Sequence, residues 1–163
     1  MTAGTKAYLK RTASIKQQLP PETLARLNAL EVKQDYDNPE YEKIMMENLY
    51  PKMIYRIQPW PEPLTRVFRF ANQKIYVQMQ GKSEFLVTGN LKDWERWDRL
   101  HEIKVRTLTL GAQYDEMDPE DMKKMATLMP NATSAICPNG SHMCLWDDQE
   151  AYFRHLLDFL RTV

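Results

Sequence analysis

From residue 105 onward the chain alternates strand and helix signals only twice, and that count constrains its fold more than any other feature. Val105 to Leu110 is a run of β-branched and aliphatic residues that reads as a short strand ending at Gly111. Asp118-Pro119-Glu120-Asp121 then opens a helix: Asp118 caps it, Pro119 takes the first position, and Asp121 can close a capping box. Met122, Met125, Ala126 and Met129 form its apolar stripe. Thr133 to Cys137 reads as a second strand, and Asp147 and Asp148 begin a last helix with the stripe Tyr152, Leu156, Phe159 and Leu160. Strand, helix, strand and helix at this spacing imply two parallel strands joined by a right-handed crossover. A parallel sheet needs both faces covered and more than two strands. The strand at 105–110 is therefore expected to need a neighbour that this chain does not offer.

The preceding residues read as helices. Tyr8, Thr12, Ile15 and Leu19 share one helical face, with Lys6, Lys10, Arg11 and Lys16 mostly on the others. Pro20-Pro21 ends that helix and starts another, which carries Leu24, Leu27 and Leu30. Asn38-Pro39-Glu40 is a third helix start, with Tyr41, Ile44, Met45 and Leu49 as its buried stripe. Pro51 should bend or break that helix. Trp60-Pro61-Glu62-Pro63 is a rigid turn before a fourth helix expected over Leu64 to about Gln80.

Composition narrows the class. The 163 residues carry 22 basic and 22 acidic side chains, so net charge gives no reason to expect nucleic acid or an anionic membrane as partner. No apolar run approaches the roughly 18 residues of a membrane span. The start, Met1 to Tyr8, has no apolar core of the kind a signal peptide carries, so a cytoplasmic protein is expected. Cys137 and Cys144, the two cysteines, read as free thiols. A zinc site built from Cys137, His142 and Cys144 lacks a fourth ligand at suitable spacing, so no metal and no cofactor are expected.

The chemistry-bearing residues flank the two strands. Asp115 and Glu116 follow the first strand in Gly111-Ala112-Gln113-Tyr114-Asp115-Glu116. His142 follows the second in Gly140-Ser141-His142-Met143-Cys144-Leu145-Trp146, 27 residues after Asp115. An acid and then a histidine, each just past a parallel strand, is the order of the last two members of an α/β-hydrolase triad. The first member, a serine in a Gly-x-Ser-x-Gly elbow, is absent from this sequence: Gly4, Gly81, Gly89, Gly111 and Gly140 include no pair four apart. Ser141 adjoins His142 and is a poor substitute, because neighbouring residues in a turn rarely point at each other. His101 and His155 lie among charged helix residues and read as surface positions. Trp94, Trp97 and Trp146 read as packing residues.

Four stretches together resemble the proline iminopeptidases, serine aminopeptidases of the α/β-hydrolase fold. They are Met79-Gln80-Gly81-Lys82-Ser83-Glu84-Phe85, Thr88 to Trp94, Tyr114-Asp115-Glu116-Met117-Asp118-Pro119, and Gly140 to Asp148. The resemblance covers essentially the whole chain and implies an α/β fold. Residues 1–86 would be the helical cap, and 87–163 the C-terminal portion of the hydrolase core. It makes Asp115 the triad acid and His142 the triad base, with Glu84 and Glu116 binding the free α-amino group of a peptide. Trp60 and Phe70 are candidates for the apolar wall against a proline ring. Arg106 stands where the family usually has a proline, and Cys144 replaces a small residue.

The resemblance also implies that the early strands, oxyanion loop and serine lie in a front half outside this chain. The implied activity is release of an N-terminal proline through a serine acyl-enzyme, with this chain inactive alone and marginally stable. The alternative is a non-catalytic binding module, or one subunit of a split hydrolase. An ester or epoxide hydrolase cap is a related possibility.

Overall fold

The computed structural model describes residues 3–161, so Met1 and Thr2, where the N-terminal reading begins, lie outside it. Its first helices are α1 (Thr5–Lys16), α2 (Pro21–Val32) and α3 (Pro39–Ile44). The path of α3 continues through a π-helical turn, Met45–Leu49, into α4 (Tyr50–Met53). Pro51 has no amide hydrogen to donate. The wider π turn ahead of it absorbs the mismatch, so the helical path persists rather than stopping.

The expected fourth helix is two helices, α5 (Glu62–Phe70) and α6 (Gln73–Met79). Ala71 leaves the helical region with ψ of 135°, and the Asn72 side chain accepts the Ile75 amide hydrogen at 3.1 Å, capping a new start. Ile15, Leu19, Leu27, Leu30, Tyr41, Ile44, Met45 and Leu49 from the stripes read from sequence converge in one core, together with Met53, Ile54 and Phe85.

Strands β1 (Thr107–Ala112) and β2 (Ala132–Cys137) pair in parallel, from Thr107 opposite Ala132 to Ala112 opposite Cys137. Among the described residues they are the whole sheet. The first strand lies two residues later than its sequence suggests, because Gly111 and Ala112 pair across to Ile136 and Cys137. Helix α7 (Pro119–Leu128) joins the strands, capped by Asp118 through the Glu120 amide at 3.0 Å.

After β2 come a short helix, α8 (Cys144–Asp147), and α9 (Gln149–Arg161). The expected apolar stripe of α9 is only half-covered: Leu160 is exposed, as are its helix neighbours Phe153 and Leu157. Among the described residues no helix is long and apolar enough to cross a membrane.

Candidate active site

A loop folded back on the end of α6 builds one wall of the site. Gly81 has φ of +109°, a conformation that favours glycine, and Gly89 passes so close to α6 that an added Cβ would lie 2.5 Å from the Met79 carbonyl oxygen. The Gln80 carbonyl accepts from the Thr88 and Gly89 amides, and the Met79 carbonyl from Leu91. Between these anchors, Phe85 sits in the core and Tyr41 hydrogen-bonds Ser83 at 2.6 Å, which leaves Glu84 at the turn. The Tyr76 hydroxyl donates to Glu84 Oε2 at 2.6 Å, and the Tyr8 hydroxyl and the Gln80 side chain donate to the Glu84 carbonyl. Burial pushes both phenols far up, so they remain protonated donors.

Asp115 and Glu116 follow β1 directly. Asp115 Oδ1 accepts the Met117 amide hydrogen at 2.9 Å and lies 3.1 Å from His142 Nδ1. Glu116 Oε1 lies 3.3 Å from the same nitrogen. Glu116 is 1 % exposed, and its Oε2 has no hydrogen-bond partner. Burial, with Asp115 and Glu84 nearby, outweighs the imidazole and pushes its carboxyl up to about 8. For His142, burial pulls downward, but the Asp115 hydrogen bond and the charges of Glu116, Asp115 and Glu84 together raise it to about 9.

The loop carrying His142 is tied down by backbone bonds. The His142 amide donates to the Met53 carbonyl at 2.7 Å, and the Met143 amide to Ile54 at 2.9 Å. Asp148 directly precedes α9 and its carbonyl accepts the Tyr152 amide at 3.0 Å, as expected of a residue that opens the last helix, while the side chains of Asp147 and Asp148 brace this loop. Asp147 accepts from the Ser141 amide and hydroxyl and from the Arg56 amide, and Asp148 accepts from Asn139. Ser141 is fully buried between Ile54 and Asp147, in no position to act as a nucleophile.

A cavity of about 260 Å³ brings Glu84, Glu116 and His142 together, with Tyr8, Tyr76, Val87, Leu91 and Trp94 among its other walls. Asp115 stands against His142 without itself lining the cavity. Neither Trp60 nor Phe70 lines this space. Trp60 belongs to an aromatic cluster with Tyr50, Tyr55 and Phe68, and Phe70 faces solvent at 73 % exposure. Trp94, read as a packing residue, lines the cavity and has a buried indole N–H without a partner. Tyr8 and Tyr76 were not singled out for the site by sequence: a tyrosine at an apolar helix position gives no sign that its hydroxyl ends on a loop glutamate. Cys137 and Cys144 are buried free thiols in a separate apolar cluster with Ala112 and Ala151.

No family model matches the chain. It is 40 % identical over 147 residues to a proline iminopeptidase of Flavobacterium johnsoniae, covering 90 % of this chain and 50 % of the relative. It is 38 % identical over 165 residues to a proline iminopeptidase of Elizabethkingia meningoseptica, covering 100 % and 55 %. The chain thus spans about half the length of the curated relatives it matches. Among solved structures it resembles VinJ, with a TM-score of 0.91 and 29 % identity over 99 % of this chain and 55 % of VinJ. It also resembles the proline iminopeptidase of Mycobacterium smegmatis, with a TM-score of 0.86 and 26 % identity over 99 % and 54 %. The fold is that of the α/β-hydrolases, represented here by helices and a two-stranded parallel sheet.

Proposed function

We propose that this chain, which belongs to the proline iminopeptidase-like α/β-hydrolases, supplies the acid, the base and the amine-binding carboxylates of an aminopeptidase that releases N-terminal proline from peptides. The observation that carries the reading is the shared cavity in which Glu84 and Glu116 face His142. A peptide's terminal ammonium placed between Glu84 and Glu116 gives the unpartnered Glu116 oxygen a donor and favours loss of the proton that burial otherwise holds on Glu116 up to about 8. Its scissile carbonyl then lies toward the imidazole. Binding the chain end beside the base is what separates an aminopeptidase from an endopeptidase.

In this mechanism Asp115 holds the Nδ1–H of His142, leaving Nε2 to take the proton of a serine and return it to the leaving amine. The serine and oxyanion donors come from a front half of the hydrolase domain, with residues 1–86 as cap and 87–163 as the back of the core. His142 is raised to about 9 while the carboxylates stand uncompensated. A bound ammonium offsets Glu84 and Glu116, so substrate itself brings the imidazole toward its neutral, basic form. The apolar wall for a proline ring falls to Val87, Leu91 and Trp94 rather than to Trp60 or Phe70.

The test is hydrolysis of a proline anilide by this chain alone and mixed with a separately expressed front half bearing the serine elbow. Activity only in the mixture supports the reading. The chain alone should fall short by on the order of a million-fold in kcat, the loss seen when a triad hydrolase lacks its nucleophile. Activity in the chain alone would overturn the division of roles. No activity in either, from a cooperatively folded monomer, would favour a non-catalytic binding module.

A further inference from the structure

The arrangement around His142 Nδ1 has a second chemical capacity, independent of peptide hydrolysis. Asp115, Glu116 and His142 each offer a ligand atom, and these atoms all lie within 4.8 Å of one another. The two distances from Nδ1, 3.1 Å to Asp115 Oδ1 and 3.3 Å to Glu116 Oε1, are close to the edge of a tetrahedron around zinc. With zinc–nitrogen and zinc–oxygen bonds of about 2.0–2.2 Å, that edge is roughly 3.3–3.5 Å.

Two further observations point to a cation. Glu116 is 1 % exposed and its second oxygen is unpartnered, an arrangement that a buried carboxylate does not hold without cost. Among the described residues, no lysine or arginine side chain pairs with the Asp115, Glu116 or Glu84 carboxylates, and Arg11 reaches only the Asp115 carbonyl. Three carboxylates therefore face a single imidazole. The His142 side chain keeps 37 % of its exposure, which leaves a path in from the cavity.

We propose that Asp115, Glu116 and His142 form a tridentate site for a divalent transition cation of the zinc class, whose occupancy excludes the proposed acid–base pairing. One imidazole nitrogen and two carboxylate oxygens are a donor set suited to zinc rather than to calcium or magnesium. The cation takes the Nδ1 position that otherwise holds the hydrogen bond to Asp115, so the metal-bound form has no oriented base. It also occupies Glu116, so a terminal ammonium and the metal compete for one carboxylate.

Zinc chloride titrated calorimetrically into this chain tests the site without any hydrolysis assay, so its result stands apart from that of the aminopeptidase reading. The expected result is one zinc per chain and a thermal midpoint that rises with zinc, because the three ligands converge only in the folded state. Glu116→Gln and His142→Gln should each weaken binding by about tenfold or more, since disturbing even an outer-shell partner of a metal costs that much. The double variant Cys137→Ser/Cys144→Ser should bind as the parent does. Cobalt(II) bound to the unmodified chain should show visible ligand-field bands and no thiolate charge-transfer band, which checks the donor set even where a variant fails to fold. Absence of stoichiometric binding, a thiolate band, or loss of binding in the cysteine double variant would each overturn the proposal.

Discussion

Two carboxyl groups lie within reach of one histidine nitrogen, and this has measurable consequences. His142 Nδ1 can donate one hydrogen, yet Asp115 and Glu116 both lie within 3.3 Å of it. The shorter contact and the Asp115 turn bond to Met117 favour Asp115 as the acceptor and leave Glu116 for a ligand. Followed by NMR, the His142 ring should titrate near 9, and Glu116→Gln should lower that midpoint by removing a negative charge. A raised histidine stabilises the fold fully below its ordinary value of 6.5, and that contribution is lost as pH rises through about 9. Glu116 acts in the same direction, because its native carboxyl keeps a proton up to about 8 and ionising it in place is unfavourable. Thermal midpoints should therefore fall from about pH 4.5 to 9, the lower part through Glu116 and the upper part through His142, and Glu116→Gln should flatten the part below about 8. In the complemented enzyme Asp115→Asn should reduce kcat by about 10⁴-fold through the wrong imidazole tautomer. Tyr76→Phe should raise KM with little change in kcat, since its hydroxyl orients Glu84 from the cavity wall and does not reach His142 or Asp115 by a hydrogen bond.

At the scale of elements, local signals and tertiary partners divide the explanation. The helix starts at Pro21 and Pro39 and the cap at Asp118 were legible because a capping residue or proline acts on its own turn. The buried stripes of α1 to α3 followed from helical periodicity for the same reason. The break at Asn72 was hidden, because the surrounding apolar periodicity continues across it and only the side-chain bond to Ile75 reveals a new start. Asn72→Ala should lower stability by about 1 kcal/mol, read as a shift in the denaturant midpoint. Asp148 opens α9 as its sequence suggests, but the side-chain partners of Asp147 and Asp148 come from the loop before them and from Arg56, 91 residues from Asp147, which periodicity cannot show. Asp147→Ala should release Ser141 and let His142 drift. A misplacement of about 1 Å costs up to about a hundredfold in turnover, so kcat should fall by up to that much while KM changes little. The pairing of Asp115 with His142 was legible from strand order, whereas the cavity walls were not, because Tyr8, Tyr76 and Trp94 reach it from three separate segments.

At the scale of the whole molecule, apolar side chains stay exposed on α5 and α6 and on α9. Val67, Phe70 and Ile75 are exposed on α5 and α6, and Val105, Phe153, Leu157 and Leu160 near the sheet and on α9. Such surface, with an unpaired edge on a two-stranded sheet, favours association. The chain should bind a hydrophobic dye and self-associate with rising concentration, and a front half that covers the sheet should suppress both. A dye-silent monomer at all concentrations would contradict this. The bonds from His142 and Met143 to the carbonyls of Met53 and Ile54 carry a mechanical consequence. His142 is tied to the end of α4, so lifting that turn would drag its imidazole away from Asp115. The proposed hydrolysis therefore requires residues 50–55 to stay in place, leaving the stretch between α4 and the Trp60 to Pro63 turn as the segment free of that constraint. A helical segment transplanted from a relative would need its own copy of the α4 end in register, or His142 would lose the anchor that holds it beside Asp115.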